Sequence, residues 1–254
     1  MRTTRSLKLT PAGEGYVADC RRILADIAEA EGNAAGSFTQ PAGLLTVTAP
    51  TLFGSLHVLP VILDFLERYP AMQVKTVFVD RVVNLVEEGL DVAVRIAALP
   101  DSGLVARRIG SIRQMICGSP NYFALHGEPE RPQDLANHRI IGRDGLHGHS
   151  EWLFGKDGGI AVPINARLVC NTNDAAIAAA VAGWGISRFQ SYQVAPAIQV
   201  GRLKTVLADY ERDLVPIHIV HAEGRRVSAR VRTFVDFAAE RFRIRAGVDA
   251  GFRL

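Results

Sequence analysis

Two imidazoles and a carboxylate stand together in His147-Gly148-His149-Ser150-Glu151, a set able to hold a zinc or nickel ion. Gly145 and Gly148 loosen this loop and no cysteine or further histidine lies near it in sequence, so a solvated loop is the better reading. Gly183-Trp184-Gly185 is a GxG without a third glycine, and it follows a helical pattern where a dinucleotide motif must follow a strand. It reads as a helix C-cap with a tight turn. Asp80-Arg81 and Glu87-Glu88 supply acids that flank a predicted surface helix, with no positioned base beside a reacting group. No nucleophile elbow, phosphate loop or HExxH run occurs. The expectation is a protein that is not an enzyme and carries no metal or cofactor.

Residues suited to binding lie at strand-to-helix junctions. Ala49-Pro50-Thr51-Leu52-Phe53-Gly54-Ser55 follows a β-prone run and offers hydroxyls and free N–H groups at a helix start, a seat for a carboxylate or phenolate. Asn171-Thr172-Asn173-Asp174 opens an alanine-rich helix; plain capping accounts for the same residues, and capping and ligand contact are compatible. Asp174 already offsets part of that helix's positive end. Arg95 and Arg143 each end a predicted strand and are the candidate charge partners.

The elements that must position these residues fall into two sets. Strand Leu44–Ala49, helix Ser55–Tyr69 (with Leu56, Leu59 and Leu63), strand Val74–Val79, helix Val82–Glu88 and strand Asp91–Ile96 spell βαβαβ with a parallel sheet. Pro60 inside the first helix predicts a kink or a later start. The second set has strands at Arg113–Gly118, Arg139–Gly142, Ile160–Val162, Arg167–Cys170, Gly185–Phe189 and Leu203–Leu207, a helical turn at Pro132–Asn137 and a helix at Asp174–Gly183. Strand Pro216–His221 and an amphipathic helix over Val227–Phe242 close the chain. Two α/β sets with the chain passing between them twice predict two lobes, with the binding cleft outside the carboxyl ends of the strands.

Ahead of both sets, Gly13–Glu31 carries Tyr16, Cys20, Ile23, Leu24 and Ile27 at a spacing near that of a pairing helix, and Gly32–Gly43 is a linker. Hydrophobic residues make up 48 % and charged residues 22 % of 254 residues, which is ordinary globular composition. A net charge of +3 is too small to diagnose a nucleic-acid binder. The C-terminal arginines are interspersed with Asp236 and Glu240 and read as a solvated face. Cys20, Cys117 and Cys170 are scattered and odd in number, which favours a reducing compartment. With no apolar leader and no run near the roughly 20 residues of a membrane span, a cytoplasmic protein without membrane contact is expected.

Taken in order, these segments resemble LysR-type transcriptional regulators. Arg2–Gly13 (RTTRSLKLTPAG) is similar to the end of the wing of their winged helix-turn-helix, and Gly13–Glu31 to their dimerising linker helix. Leu44–Gly54 (LLTVTAPTLFG), Phe65–Pro70 (FLERYP), Asp80–Ile96 (DRVVNLVEEGLDVAVRI), Leu99–Gly110 (LPDSGLVARRIG), Cys117–Tyr122 (CGSPNY), Asn173–Ile186 and Val231–Phe242 follow in the family's order. The resemblance implies an α/β, two-lobed, periplasmic-binding-protein-like effector domain over 41–254, after a wing remnant (1–12) and a linker helix with its linker (13–40). Lobe I would span about 41–117 and 219–254, and lobe II about 118–218. It also implies a homodimer or tetramer and a small, acidic or aromatic effector in the cleft. Carried over by position, Pro50, Thr51, Phe53 and Arg95 would meet the effector from lobe I, and Arg143 and Asn173 from lobe II. Arg2, Arg5 and Lys8 would keep only weak phosphate contacts, so specific DNA binding would need a helix-turn-helix not seen in this chain. A solute-binding protein of a transport system is the alternative on the same fold.

Overall fold

A computed structural model of the chain describes residues 41–99, 103–143, 151–222 and 228–246, with Thr10, Gly13, Tyr16, Val17, Cys20, Ile23, Leu24 and Ile27. Strand β1 (Gly43–Ala49) buries Leu45, Val47, Thr48 and Ala49, nearly every residue of its second half. A strand covered on both faces reads this way, and β1 is central: it pairs in parallel with β2 (Met72–Phe78) and β3 (Val92–Ile96). β4 (Leu104–Ile112) and β12 (Val215–Ala222) complete this sheet, in the order β2-β1-β3-β12-β4, with β12 antiparallel to both neighbours.

The second lobe repeats the plan. β5 (Gln114–Gly118) runs antiparallel between β10 (Ser187–Gln190) and β11 (Lys204–Val206), while β6 (Ile140–Arg143) and β9 (Ala166–Cys170) pair in parallel. A parallel bridge between Ile140 and Ile186 joins the two groups, with the Ile141 N–H donating to the Ile186 carbonyl at 2.9 Å. The order across the lobe is therefore β9-β6-β10-β5-β11. A hairpin of β7 (Glu151–Phe154) and β8 (Ile160–Pro163) adds Trp152, Phe154 and Val162 to the core on one face. Each lobe's edge strand feeds the fourth strand of the other: β4 passes through Arg113 into β5, and β11 leads back to β12. The changeovers at Arg113 and just before Val215 fall a few residues ahead of the limits expected from sequence, because β5 pairs only within the second lobe.

Thr51–Phe53, Gly54–Val58 and Leu59–Arg68 form one continuous helix, α1, whose middle segment is a π-turn. Here the structure corrects the sequence: the helix starts four residues before Ser55, and Pro60 neither delays it nor ends it. The π-turn, closed by the Leu59 N–H on the Gly54 carbonyl, lies just before the proline. Leu56, Leu59 and Leu63 face outward, and the core takes Val58, Val61, Ile62 and Phe65 instead. The expected helix over Val82–Glu88 is a turn. Asn84 Oδ1 accepts from the Val86 N–H at 3.1 Å, and a single helical bond, Glu88 N–H to Asn84 O, is not propagated.

The remaining α-helices among the described residues are α2 (Pro120–His126), α3 (Asn173–Val181), α4 (Ser191–Gln199) and α5 (Ala229–Ala246), and the helical turn expected at Pro132–Asn137 is a 3-10 helix. β4, α2, β7 and α4 were not anticipated from the sequence. α5 lays Val231, Phe234, Val235, Ala238 and Phe242 on the first sheet, and the Phe234 ring meets Phe65 edge-on at 5.1 Å. Each ring withdrawn from water in this way contributes about 1.5–3 kcal/mol. Ahead of the lobes, Gly13, Tyr16, Val17, Cys20, Ile23, Leu24 and Ile27 are helical, and Tyr16, Ile23, Leu24 and Ile27 are exposed along the single chain. Arg2, Arg5, Lys8 and most of the linker lie outside the described residues. No described helix is long and apolar enough to cross a membrane. Cys20, Cys117 and Cys170 are free, and burial pushes the Cys117 thiol up to about 12.

Candidate functional site

The parallel register sets the site. β1 and β2 end side by side at Ala49 and Phe78, and the Val79 N–H extends the ladder to the Ala49 carbonyl at 3.0 Å. One residue further on, Asp80 stands next to the first residue of α1. Its Oδ1 accepts the Thr51 N–H at 3.0 Å. Pro50, the residue before the helix, has no side chain able to cap it, so Asp80 does so from the neighbouring strand. The anion seat expected at Thr51 is thus filled by the protein's own carboxylate.

The second lobe answers from its equivalent junction. Arg143 and Cys170 end β6 and β9 as partners, and α3 begins shortly after at Asn173. Thr172 caps α3, its Oγ1 accepting the Ala175 N–H at 3.3 Å, so capping falls to Thr172 and leaves Asn173 available. Asn173 is 4 % exposed, and its Nδ2 donates to Asp80 Oδ2 across the cleft at 3.4 Å.

A backbone donor fixes the direction of this network. The Gln190 N–H donates to Gln193 Oε1 at 3.0 Å, which turns the Gln193 amide so that Nε2 donates to Asn173 Oδ1 at 3.0 Å. With its oxygen so engaged, the Asn173 amide must present Nδ2 to Asp80. The chain of bonds runs Gln190, Gln193, Asn173, Asp80, Thr51, from the second lobe into the first. Gln193 Nε2 also donates to the Tyr192 hydroxyl at 3.3 Å. Tyr192 itself belongs to α4 of the second lobe, yet its ring packs in the first lobe's core, 5.2 Å from Phe53 and 5.5 Å from His57. Burial pushes the Tyr192 phenol above its ordinary value, with Asp80 adding to the rise.

Arg143 is half-buried beside this chain. Burial pulls its guanidinium below the ordinary arginine value, and the nearby Asp80 carboxylate works against that fall. Among the described residues the Arg143 guanidinium makes no hydrogen bond.

Of the residues singled out from sequence, Thr51, Asn173 and Arg143 come together around Asp80, with Pro50 at their edge. Two do not. Phe53 is 0 % exposed, its ring set among His57, Tyr192 and Phe242, so it backs the wall of the cleft and does not face it. Arg95 gives its guanidinium to the Val83 carbonyl at 2.8 Å and braces the turn that replaces the expected helix. Asp80, Gln190, Tyr192 and Gln193 are not among the binding residues expected from sequence; Asp80 is brought to Thr51 by the pairing of Ala49 with Phe78. His147 and His149 lie outside the described residues, and no group of three or more His, Cys, Asp or Glu placed to hold a metal occurs among the described ones. The reading of Gly183-Trp184-Gly185 as a helix end is borne out: the Trp184 and Gly183 N–H groups bond to the Ala179 and Ala180 carbonyls, with Gly183 at φ 80°.

Where the lobes join, Arg113 holds both crossovers. Its Nε and Nη2 donate to the two oxygens of Glu211 at 2.8 and 2.9 Å, and its carbonyl accepts the Ser191 N–H at 2.9 Å.

The matches to known proteins agree with this architecture. Residues 38–243 match the family model for the LysR substrate binding domain. An HTH-type transcriptional regulator of Xanthomonas campestris is 35 % identical over 245 residues, covering 94 % of this chain and 71 % of its own. An HTH-type transcriptional repressor of Pseudomonas aeruginosa is 32 % identical, with 95 % and 77 % covered. The structure of CrgA, a LysR-type transcriptional regulator from Neisseria meningitidis, superposes with a TM-score of 0.71 at 30 % identity, over 95 % of this chain and 83 % of that one. Nothing among these matches supports the transport alternative. The fold is the two-lobed, periplasmic-binding-protein-like one of LysR regulatory domains, and the chain belongs to the LysR family of transcriptional regulators.

Proposed function

We propose that residues 41–246 are the sensing part of a cytoplasmic transcription regulator, which binds a small acidic or aromatic metabolite between its lobes and carries out no chemistry. The observation that supports this most directly is the convergence on Asp80 of the Thr51 N–H from one lobe and Asn173 and Arg143 from the other. A ligand that touches groups on both lobes changes their relative energy, which is what a sensor requires. In this reading the lobes do not read DNA; that falls to a helix-turn-helix, with the operator contacts made there. The exposed Tyr16, Ile23, Leu24 and Ile27, together with Leu56, Leu59 and Leu63 on α1, suit a homodimer or a tetramer.

The test is calorimetric titration of the full chain with a panel of aliphatic and aromatic monocarboxylates. An acid that binds should lose about tenfold in affinity, roughly 1.4 kcal/mol, in both Arg143→Ala and Asn173→Ala. Binding that neither substitution weakens would place the effector elsewhere and overturn the assignment.

A further inference from the structure

Asp80 occupies donors that have the geometry of a carboxylate receptor. One N–H and one amide, from opposite lobes, point at the two oxygens of a single carboxylate. The amide cannot turn away, because Gln193 holds its oxygen. The Arg143 guanidinium, at the end of β6 and close enough to sense the Asp80 charge, makes no hydrogen bond among the described residues. Asp80 is half-buried and carries no salt bridge among the described residues, and its contact to Asn173 is at the long end for an N–H···O bond. The receptor is therefore filled, but loosely, by a group tethered to the end of β2.

We infer that Asp80 sets what the cleft accepts: its carboxylate stands in for that of the effector, and an acid enters by displacing it. This rests on the reading of the cleft as the effector seat. A ligand with no anionic group is a weaker acceptor than the charged carboxylate already on these donors, and leaves Asp80 where it is. A carboxylate gains the Thr51 N–H, the Asn173 amide and the Arg143 guanidinium together, and its apparent affinity is reduced by the fraction of time Asp80 is bound. Displacement also cuts the internal bond between lobes and replaces it with one routed through the ligand, so occupancy is registered as a change in what joins the lobes.

Removing the tethered carboxylate should let a free one take its place. The full-length D80A variant is melted in sodium acetate and in sodium chloride at equal ionic strength, beside the wild type and the D80A/N173A double variant. In D80A, acetate at about ten times its Kd should raise Tm by roughly 3–6 °C over chloride. The wild type should not respond, and the double variant should lose most of the rise. Should D80A fail to fold, D80N serves in its place, with tighter benzoate binding than the wild type as the expected result. A folded D80A indifferent to acetate, or a rise of equal size in the double variant, overturns the inference. The two readings fail separately: carboxylates that bind the wild type through Arg143 and Asn173 while D80A ignores acetate leave the cleft as effector seat and remove only the role of Asp80. Acetate rescue of D80A, with no acid able to bind the wild-type cleft, keeps the carboxylate receptor and discards the effector seat.

Discussion

Gly185→Ala should be among the most damaging single-methyl additions in this protein, although nothing about its backbone angles singles it out. A Cβ at Gly185 would lie 2.3 Å from the Arg139 carbonyl oxygen and 3.0 Å from its carbon. Ordinary C···O contacts begin near 3.3 Å, so one chain must retreat by about 1 Å. The atoms in the way are backbone, and the segment cannot yield cheaply. Ile186 N–H to Arg139 O and Ile141 N–H to Ile186 O, each 2.9 Å, join β6 to β10, and Ile141 and Ile186 are both 0 % exposed. A 1 Å shift breaks both bonds and leaves buried groups unpaired, at about 1–3 kcal/mol each. The expected loss is about 3–5 kcal/mol, a large share of a typical domain's 5–15 kcal/mol. Gly183→Ala is the control. Its φ of 80° makes it the position that conformational preference would rank first, yet a Cβ there meets only Ser119 Oγ at 3.3 Å. The left-handed conformation costs a non-glycine residue about 1–2 kcal/mol. Urea unfolding followed by circular dichroism should therefore rank Gly185→Ala well below Gly183→Ala, which lies below wild type. An unchanged midpoint for Gly185→Ala, or the reverse order, would show that close approach does not govern this turn.

Two further outcomes follow from the crossovers between the lobes and from the second lobe. Arg113→Met leaves Glu211, with its side chain only 12 % exposed, facing no guanidinium where the crossovers meet. Because the Arg113 side chain is itself 41 % exposed, the loss should be about 1–2 kcal/mol in urea unfolding, and less for Arg113→Lys, which keeps the charge. For pH, the Tyr122 hydroxyl accepts the Arg139 N–H at 2.9 Å and shares a hydrogen bond with His138 Nδ1 at 3.2 Å. Burial, helped by His126, holds the His138 imidazole below its ordinary 6.5. The unfolded chain takes up that proton before the folded one, so stability present above pH 6.5 is lost as pH falls toward the folded value. The urea midpoint should drop between pH 7.5 and 5.5, and His138→Gln should shrink the drop; a variant with the full wild-type drop would assign it to other groups.

Where a pattern is local and repeated, the sequence spoke clearly. The parallel strands β1 and β3, the closing helix and the Gly183 turn each follow from hydrophobic period or from a single backbone requirement. Asp80 was visible only as half of an Asp-Arg pair at the edge of a predicted helix. Its position next to Thr51 depends on the register of Ala49 against Phe78, a long-range fact that no window of sequence contains. Val82–Glu88 has helical spacing, yet the Asn84 side chain competes for the N–H groups a helix would need in place. The resemblance carries a contact role to Phe53 by position, and position alone cannot tell which side of the helix faces the core ahead of a π-turn.

α4 was missed altogether, since Pro196 stands in the middle of Ser191–Gln199 and removes a helical donor. That helix joins three separate parts of the molecule. Within three consecutive residues, Ser191 bonds to the crossover at Arg113, Tyr192 packs against Phe53 and His57 in the first lobe, and Gln193 orients Asn173 in the cleft. A turn of helix cannot move one of these residues without the other two. Under the proposed reading, a ligand that drew Asn173 toward itself would pull on Gln193, and through α4 on the bond from Ser191 to Arg113. The link between cleft and crossover is short and made of packed, hydrogen-bonded groups, which is the kind of connection able to carry a coupling free energy. Tyr192 reaches into the opposite lobe's core, so α4 is anchored to both lobes at once, by its ring on one side and by Ser191 and Gln193 on the other.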